Sequence, residues 1–135
     1  MAFKVFLDTN MLMTMARRRT DIFHHIEATL QGRIEFVAPK AVVAELSGIS
    51  REKSQRGRDA ILALKLAGKC RQWQGKPAAG ESTDDYLTRI AREVGGIVAT
   101  ADKELRKRAR NANIPVIYLT KDLRVRIEGI EPAYV

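Results

Sequence analysis

The chain has 135 residues, of which 45% are hydrophobic, enough for the buried core of one ordinary domain. Its formal net charge of +8 and pI of about 10.0 are typical of proteins that bind nucleic acid or, less often, anionic lipid. A single cysteine, Cys70, excludes an intramolecular disulfide and favours a reduced cytosolic thiol. Because no signal-peptide pattern and no run of 18 apolar residues is present, we expect a cytoplasmic protein without a membrane partner.

The first half of the chain alternates between short apolar runs and helical patterns. Buried strands are predicted at residues 3–7 and 34–38, and helices at residues 9–16, from Asp21 to about residue 30, from Pro39 to near Gly48, and at residues 50–66. Residues 17–19 are predicted to be a basic connection. Gly57 lies inside the helix predicted at 50–66, where glycine is unfavourable.

The second half continues the alternation. It predicts a short strand at 70–73, a loop at 74–81, a helix from Ser82 or Thr83 to residue 94, a strand at 97–99, a basic helix at 103–111, a strand at 115–119 and an edge strand at 123–127. No internal repeat and no long linker interrupts the pattern. We therefore predict one domain over residues 1–135, an α/β fold with a mostly parallel central sheet covered by helices on both faces.

Two of the predicted buried strands end at an aspartate that is followed by a helix. Asp8 follows the apolar residues 5–7, and Asp102 follows residues 97–101. Either aspartate could serve only as the N-cap of the next helix. Capping does not require matching strand ends, however, and ligands of parallel α/β sheets bind beside the carboxyl ends of the strands. The repetition therefore indicates a shared acidic pocket.

Three further acids could complete this pocket. Glu45 lies in an apolar helical stretch, either as its solvent-facing position or as a member of the pocket, because a carboxylate should not be buried unpaired. Asp84 and Asp85 lie in the first turn of a helix, where the helix dipole favours negative charge. Ser82 with Asp85 also resembles a capping box. Several converging carboxylates would suit a hard divalent cation that assists phosphodiester cleavage.

Four motifs in this order resemble those of PIN-domain ribonucleases. They are Leu7-Asp8-Thr9-Asn10, Glu45 in the third helix, Asp84-Asp85-Tyr86-Leu87 with Ala91, and the strand end and helix start at residues 97–105. The last two motifs, with residues 115–119, look most like the archaeal and eukaryotic branch linked to ribosomal-RNA processing. One departure is Ala101, where many members of the family have asparagine.

The resemblance implies a Rossmann-like three-layer α/β/α sandwich and Mg²⁺- or Mn²⁺-dependent cleavage of single-stranded RNA. The implied catalytic and metal-binding residues are Asp8, Glu45, Asp84 and Asp102, with Asp85 as the alternative to Asp84. Asp84 is preferred because the family's acid stands seven residues before a helical alanine, here Ala91. The polar positions that would orient these carboxylates are Thr9, Asn10 and Thr100.

Basic clusters supply the candidate RNA contacts, because cations that neutralise phosphates release counterions. The candidates are Arg17, Arg18, Arg106, Lys107, Arg108 and Arg110, with two further basic groups at Lys53, Arg56 and Arg58 and at Lys121, Arg124 and Arg126. The group at 106–110 is preferred because it directly follows Asp102.

Two alternative functions stay open within the resemblance. One is a toxin ribonuclease held by an antitoxin, and the other is a non-cleaving PIN module that binds RNA or protein. Expected partners accordingly include a second copy of the chain, a ribosome-assembly factor or an antitoxin. A dinucleotide-binding domain is disfavoured, since no Gly-x-Gly-x-x-Gly motif follows the first strand.

Overall fold

A computed structural model describes residues 2–130 of the chain. The strands are β1 (Ala2–Leu7), β2 (Arg33–Pro39), β3 (Arg71–Trp73), β4 (Ile97–Thr100), β5 (Val116–Leu119) and β6 (Val125–Glu128). The helices are α1 (Thr9–Arg18), α2 (Ile22–Thr29), α3 (Lys40–Ser50), α4 (Gln55–Ala67), α5 (Thr83–Val94) and α6 (Lys103–Asn111). None of these described helices has the length and apolar character needed to cross a membrane.

The sheet has the strand order β3-β2-β1-β4-β5-β6 and is built around β1. Val5, Phe6 and Leu7 are fully buried. Phe6 is in register with Val37 of β2 on one side and with Val98 of β4 on the other, both in parallel pairings. β6 pairs antiparallel with β5 at one edge. A central parallel strand is covered on both faces, which explains why its end is a continuous apolar run.

Helices cover both faces of the sheet. α1, α3 and α4 contact one another, and α5 contacts α6. The chain moves outward from β1 to β3 through α1–α4, then returns past β1 to β4 through α5. Since crossovers between parallel strands are right-handed, this reversal places the two helix groups on opposite faces. The predicted three-layer α/β/α architecture is confirmed, and the strand order reverses between β1 and β4, where such folds open a crevice.

Most elements lie within two residues of their predicted bounds, but the basic connection predicted at 17–19 was wrong. Arg17 and Arg18 belong to the last turn of α1. The helix ends at Arg19, which has φ 51° and a left-handed conformation. Arginine side chains suit a helix C-terminus because they complement its negative dipole end.

The helix predicted at 50–66 is present but was started too early, because α3 continues to Ser50 and α4 begins only at Gln55. The Ser54 hydroxyl accepts a hydrogen bond from the Gly57 N–H at 3.1 Å and caps α4. A Cβ at Gly57 would lie 2.0 Å from the Glu52 carbonyl oxygen, so only glycine fits this close approach. The tight turn brings α4 back against α3 and α1.

We expect Gly96→Ala to destabilise the sheet at β1. A Cβ at Gly96 would lie 2.7 Å from Cε2 of the fully buried Phe6 ring. Overpacking of this kind should lower the free energy of unfolding by about 1–3 kcal/mol, measured by urea denaturation. The exposed α5 substitution Glu93→Ala is the control and should change it by less than about 0.5 kcal/mol. An unchanged value for Gly96→Ala would show that Phe6 is free to shift.

Candidate active site

Asp8 directly follows β1 and is only 2% exposed. Its Oδ1 accepts a hydrogen bond from the Met11 N–H at 2.6 Å, which caps α1, and its Oδ2 accepts one from the Thr100 hydroxyl. Thr100 is fully buried at the end of β4, and its hydroxyl accepts the Asp102 N–H at 2.9 Å. One threonine therefore connects the carboxyl ends of β1 and β4.

Asp102 repeats the arrangement at the start of α6. Its Oδ1 accepts a hydrogen bond from the Glu104 N–H at 2.9 Å. Asp8 and Asp102 thus both cap helices, as one reading of the sequence proposed. Capping leaves acceptor positions free on both side chains, because an ionised carboxylate has about four of them.

The four acids preferred from the sequence line one cleft of about 970 Å³ at the carboxyl ends of β1 and β4, which Glu52 and Asp59 also line. The four come from the end of β1, the middle of α3, the first turn of α5 and the end of β4, and are Asp8, Glu45, Asp84 and Asp102. Thr9 also lines the cleft and donates a hydrogen bond to Glu45 Oε1. Residues separated by as many as 94 positions along the chain are therefore neighbours in space.

Asn10 is a further polar residue of the cleft. Its Oδ1 accepts a hydrogen bond from the Thr14 hydroxyl at 3.5 Å. Thr14 lies one turn further along α1 and is buried. This contact holds the Asn10 side chain along α1 beside the acids.

The two neighbouring acids of α5 have different surroundings. Asp84 lines the cleft, whereas Asp85 forms an ion pair with Arg108 of α6. The Asp85 N–H donates to the Ser82 hydroxyl at 3.1 Å, so Ser82 is the N-cap of α5. The geometry favours Asp84 over Asp85 as the fourth acid of the cleft.

Burial and the charges of neighbouring acids disfavour the charged forms of Asp8 and Asp84. The pKa of Asp8 is raised from 3.8 to about 7, mainly by burial. Hydrogen bonds from Thr100 and Met11 lower this pKa, and the negative charges of Asp84 and Asp102 raise it. Burial also raises the pKa of Asp84, as do Asp102 and Glu45, while Arg108 lowers it. A cation in the cleft would favour the ionised carboxylates.

The donor set fits a hard divalent cation. It consists of carboxylate and hydroxyl oxygens, which suit Mg²⁺ and Mn²⁺ better than softer metals. Among residues 2–130, no group of three or more Asp, Glu, His or Cys side chains is placed so that it could hold an ion by itself. Mg²⁺ commonly takes only one or two carboxylates and completes its shell with water and substrate phosphate.

Three residues of α4 line the cleft, namely Gln55, Arg56 and Asp59. Arg56 belongs to a basic group identified from the sequence, whereas Gln55 and Asp59 were not identified. Asp59 is 8% exposed and accepts a hydrogen bond from Gln55 Nε2 at 3.0 Å. Because residues 50–66 were predicted as one continuous basic helix, Gln55 and Asp59 were not assigned to the cleft. Ser54, a good N-cap residue, was the signal in the sequence for a new helix start.

The predicted RNA-contacting residues fall in different places. Arg17 lines the acidic cleft and Arg18 is exposed at the end of α1. Arg106, Lys107 and Arg110 line a separate depression of about 390 Å³.

Arg106 and Arg110 also have partners within the protein. Arg106 Nε donates to Glu128 at 2.7 Å, and its guanidinium carbon lies 3.5 Å from the ring centroid of Tyr118. Arg110 Nη1 donates to the Ile114 carbonyl oxygen at 3.3 Å. These contacts connect α6 to the β5 end of the sheet, so part of the basic surface of α6 is structural.

The comparisons with known proteins agree with this architecture. Residues 5–122 match the family model described as "PIN like domain". The chain belongs to the PIN-like domain family. This PIN domain is 31% identical over 125 residues to ribonuclease VapC9 of Archaeoglobus fulgidus, covering 93% of this chain and 89% of the relative. It is 24% identical over 129 residues to ribonuclease VapC4 of Methanocaldococcus jannaschii, covering 95% and 98%. The resemblance inferred from the sequence motifs is confirmed.

Solved structures support the same fold. The PIN domain endonuclease Utp24 superposes with a TM-score of 0.72 at 24% identity, covering 94% of this chain and 92% of that one. VapBC-1 from nontypeable Haemophilus influenzae matches with a TM-score of 0.58 at 13% identity, covering 81% and 94%. At these identities the matches establish the architecture of the PIN domain.

We expect Thr100→Val to loosen the connection between β1 and β4. Valine keeps the volume but removes the donor to Asp8 and the acceptor for the Asp102 N–H. Leaving buried polar groups unpaired should lower the free energy of unfolding by about 1–3 kcal/mol, measured by urea denaturation at neutral pH. Thr100→Ser retains the hydroxyl and is the control. It lacks only the methyl group, so its loss measures that group alone, and a Thr100→Val variant as stable as wild type would contradict the role assigned to the hydroxyl.

The raised pKa of Asp8 predicts a pH-dependent stability in metal-free buffer. Below about pH 4 the carboxyl is protonated in both states; between about pH 4 and 7 only the unfolded state loses the proton, so stability falls as pH rises. The full displacement of the pKa corresponds to about 4 kcal/mol. We expect the free energy of unfolding of Asp8→Asn, relative to wild type, to rise by up to this amount between pH 4 and pH 8. A difference independent of pH would contradict the assigned environment of Asp8.

Proposed function

We propose that this PIN domain is a divalent-metal-dependent ribonuclease that hydrolyses phosphodiester bonds of single-stranded RNA. The observation that carries the proposal is the meeting of Asp8, Glu45, Asp84 and Asp102 in one cleft. Its relatives at 31% and 24% identity are named ribonucleases. A net charge of +8 around an acidic cleft also suits a polyanionic substrate that is cut at a cation-binding site.

Each acid is assigned a role from its position. Asp8 and Asp102, at adjacent strand ends, would hold Mg²⁺ or Mn²⁺, and Glu45 and Asp84 would complete the shell directly or through water. When bound, such an ion lowers the pKa of a water molecule and neutralises charge that develops on the scissile phosphate. Thr100 keeps the Asp8 carboxylate at the strand end, and Thr9 keeps Glu45 turned toward the cleft.

The basic residues would hold the RNA on either side of the acids. Arg17 lies in the cleft itself, so it would contact a phosphate close to the cleaved bond. Arg18 and the α6 group of Arg106, Lys107, Arg108 and Arg110 would contact more distant phosphates. Because phosphate contacts release counterions, RNA binding should weaken as the salt concentration rises.

Two biological roles are compatible with this chemistry. The motifs around Asp84 and Asp102 favour ribosomal-RNA processing, with a ribosome-assembly factor as a partner. The names of the relatives, VapC9 and VapC4, favour a toxin ribonuclease with an antitoxin as its partner, as does the match to the VapBC-1 structure. A non-cleaving binding module is disfavoured because all four acids line the cleft. Pairing of two copies of the chain stays a prediction.

Substitution of the strand-end acids tests the proposed activity. We expect Asp8→Asn and Asp102→Asn to reduce Mg²⁺- or Mn²⁺-dependent cleavage by more than about 100-fold. Removing a residue that only hydrogen-bonds to a metal ligand already lowers metal affinity or activity roughly 10- to 100-fold. Cleavage of labelled single-stranded RNA by purified protein is the measurement, with EDTA as the metal-free control. Circular dichroism checks that both variants fold.

The neighbouring acids of α5 supply a matched pair for the same assay. Asp84→Asn should lose activity, whereas Asp85→Asn should stay close to wild type, since Asp85 contacts Arg108. Wild-type cleavage by both strand-end variants, or cleavage that persists in EDTA, would refute the proposed mechanism.

A further inference from the structure

One end of the cleft extends beyond the acids, between α1 and the α3–α4 pair. Its lining there includes Met13, Arg17, Gly48, Ile49 and Arg56, which we call the nucleotide arm. We propose that this arm binds the nucleotide next to the scissile phosphate of a single-stranded RNA. The inference rests on the proposed function and adds to it a specific position for the substrate.

The α1 wall of the nucleotide arm leads directly away from the acids. Thr9, Met13 and Arg17 are spaced four residues apart, so they lie on one face of the helix. Thr9 contacts Glu45 at the acidic end. At 1.5 Å per residue, Arg17 lies about 12 Å further along the helix axis. A ligand that follows this stripe therefore passes from the acids over an apolar side chain to a cation.

Gly48, in the opposite wall, has no structural requirement for being glycine. It lies inside α3, where glycine is unfavourable, and it does not have a positive φ. A Cβ built at Gly48 meets no atom within 4 Å, unlike the one at Gly57. Gly48 is exposed and lines the cleft, so the missing side chain leaves open space in the nucleotide arm. Room for a ligand explains a residue that packing and backbone conformation do not.

The side chains of the arm match an unpaired nucleotide. Met13 and Ile49 offer partly buried apolar surface against which the face of a base can pack. Other charged residues there are already engaged: Arg56 with Glu52, and Asp59 with Gln55.

Arg17 is different from these residues. Its side chain makes no hydrogen bond or ion pair within residues 2–130, so its guanidinium is available for a phosphate. A base within a duplex cannot lie on such a surface, so the arm favours single strands.

The decisive variant is Gly48→Leu, with Ala44→Leu as its control on an exposed α3 position outside the cleft lining. Both are made in the Asp8→Asn background, and binding of a short fluorescent single-stranded RNA is measured by anisotropy in chelator. Gly48→Leu should weaken binding roughly 10- to 200-fold, the range expected for a misfit of one methylene group in a binding pocket. Its thermal midpoint should rise by about 2–5 °C, because leucine is the better helix former. Ala44→Leu should leave affinity unchanged.

Arg17→Ala tests the cationic end of the nucleotide arm. In the same assay it should reduce the slope of log affinity against log salt concentration by about 0.7, the value for one phosphate contact in a single strand. Arg33→Ala is the control, because Arg33 is exposed at the start of β2, at the edge of the sheet opposite the cleft. It should leave the slope unchanged.

Several outcomes would overturn the proposal. The first is an unchanged RNA affinity of Gly48→Leu together with an unchanged salt slope of Arg17→Ala, which is the result expected if the arm binds a protein. The second is a lower thermal midpoint of Gly48→Leu. If the wild type binds RNA but cleaves none, the proposed nuclease function is refuted. The comparison of RNA affinities between variants then still tests whether the nucleotide arm binds RNA. Absence of any RNA binding overturns both.

Discussion

The site depends on a carboxylate that is held inside the protein at the end of the central strand. Asp8 is removed from solvent because β1 is buried up to its last residue, and its position is fixed by the Met11 N–H and the Thr100 hydroxyl. The same hydroxyl accepts the Asp102 N–H, so the relative position of the two strand-end acids is set by hydrogen bonds at the point where the strand order reverses. The same hydrogen bonds therefore connect the two strand ends and position both acids of the cleft.

This arrangement opposes folding in the absence of a cation. Burial and the neighbouring acids raise the pKa of Asp8 to about 7, so the buried group is stable as an acid and unfavourable as an anion. The fold tolerates the unfavourable charge because the surrounding strands and α1 supply a large apolar core. A divalent ion would reverse the balance by favouring the ionised forms of all the cleft acids together. Metal binding and stability are accordingly expected to be coupled.

Local sequence signals predicted the parts of the site that are locally determined. Asp8 and Asp102 each follow an apolar strand and cap a helix, so their positions could be read from a few neighbouring residues. Asp84 could be chosen over Asp85 only through the family's spacing, because the rotation of α5 that separates them depends on its packing. The positions of Gln55 and Asp59 in the cleft could not be predicted, since they require the tight turn before Gly57 that returns α4 against α3. The pairing of Arg106 with Glu128 likewise depends on β6 joining the sheet.

Two glycines of the α3–α4 pair, Gly48 and Gly57, occur for different physical reasons. Gly57 is required by the protein, because the Glu52 carbonyl oxygen occupies the place of a side chain. Gly48 has empty space beside it, so folding alone would favour a better helix former at that position. A residue that lowers helix stability without relieving a clash is expected where function needs the room. Under the proposed function, the acids would fix where a phosphate is cut, and the empty volume beside Gly48 would decide which group can lie next to it.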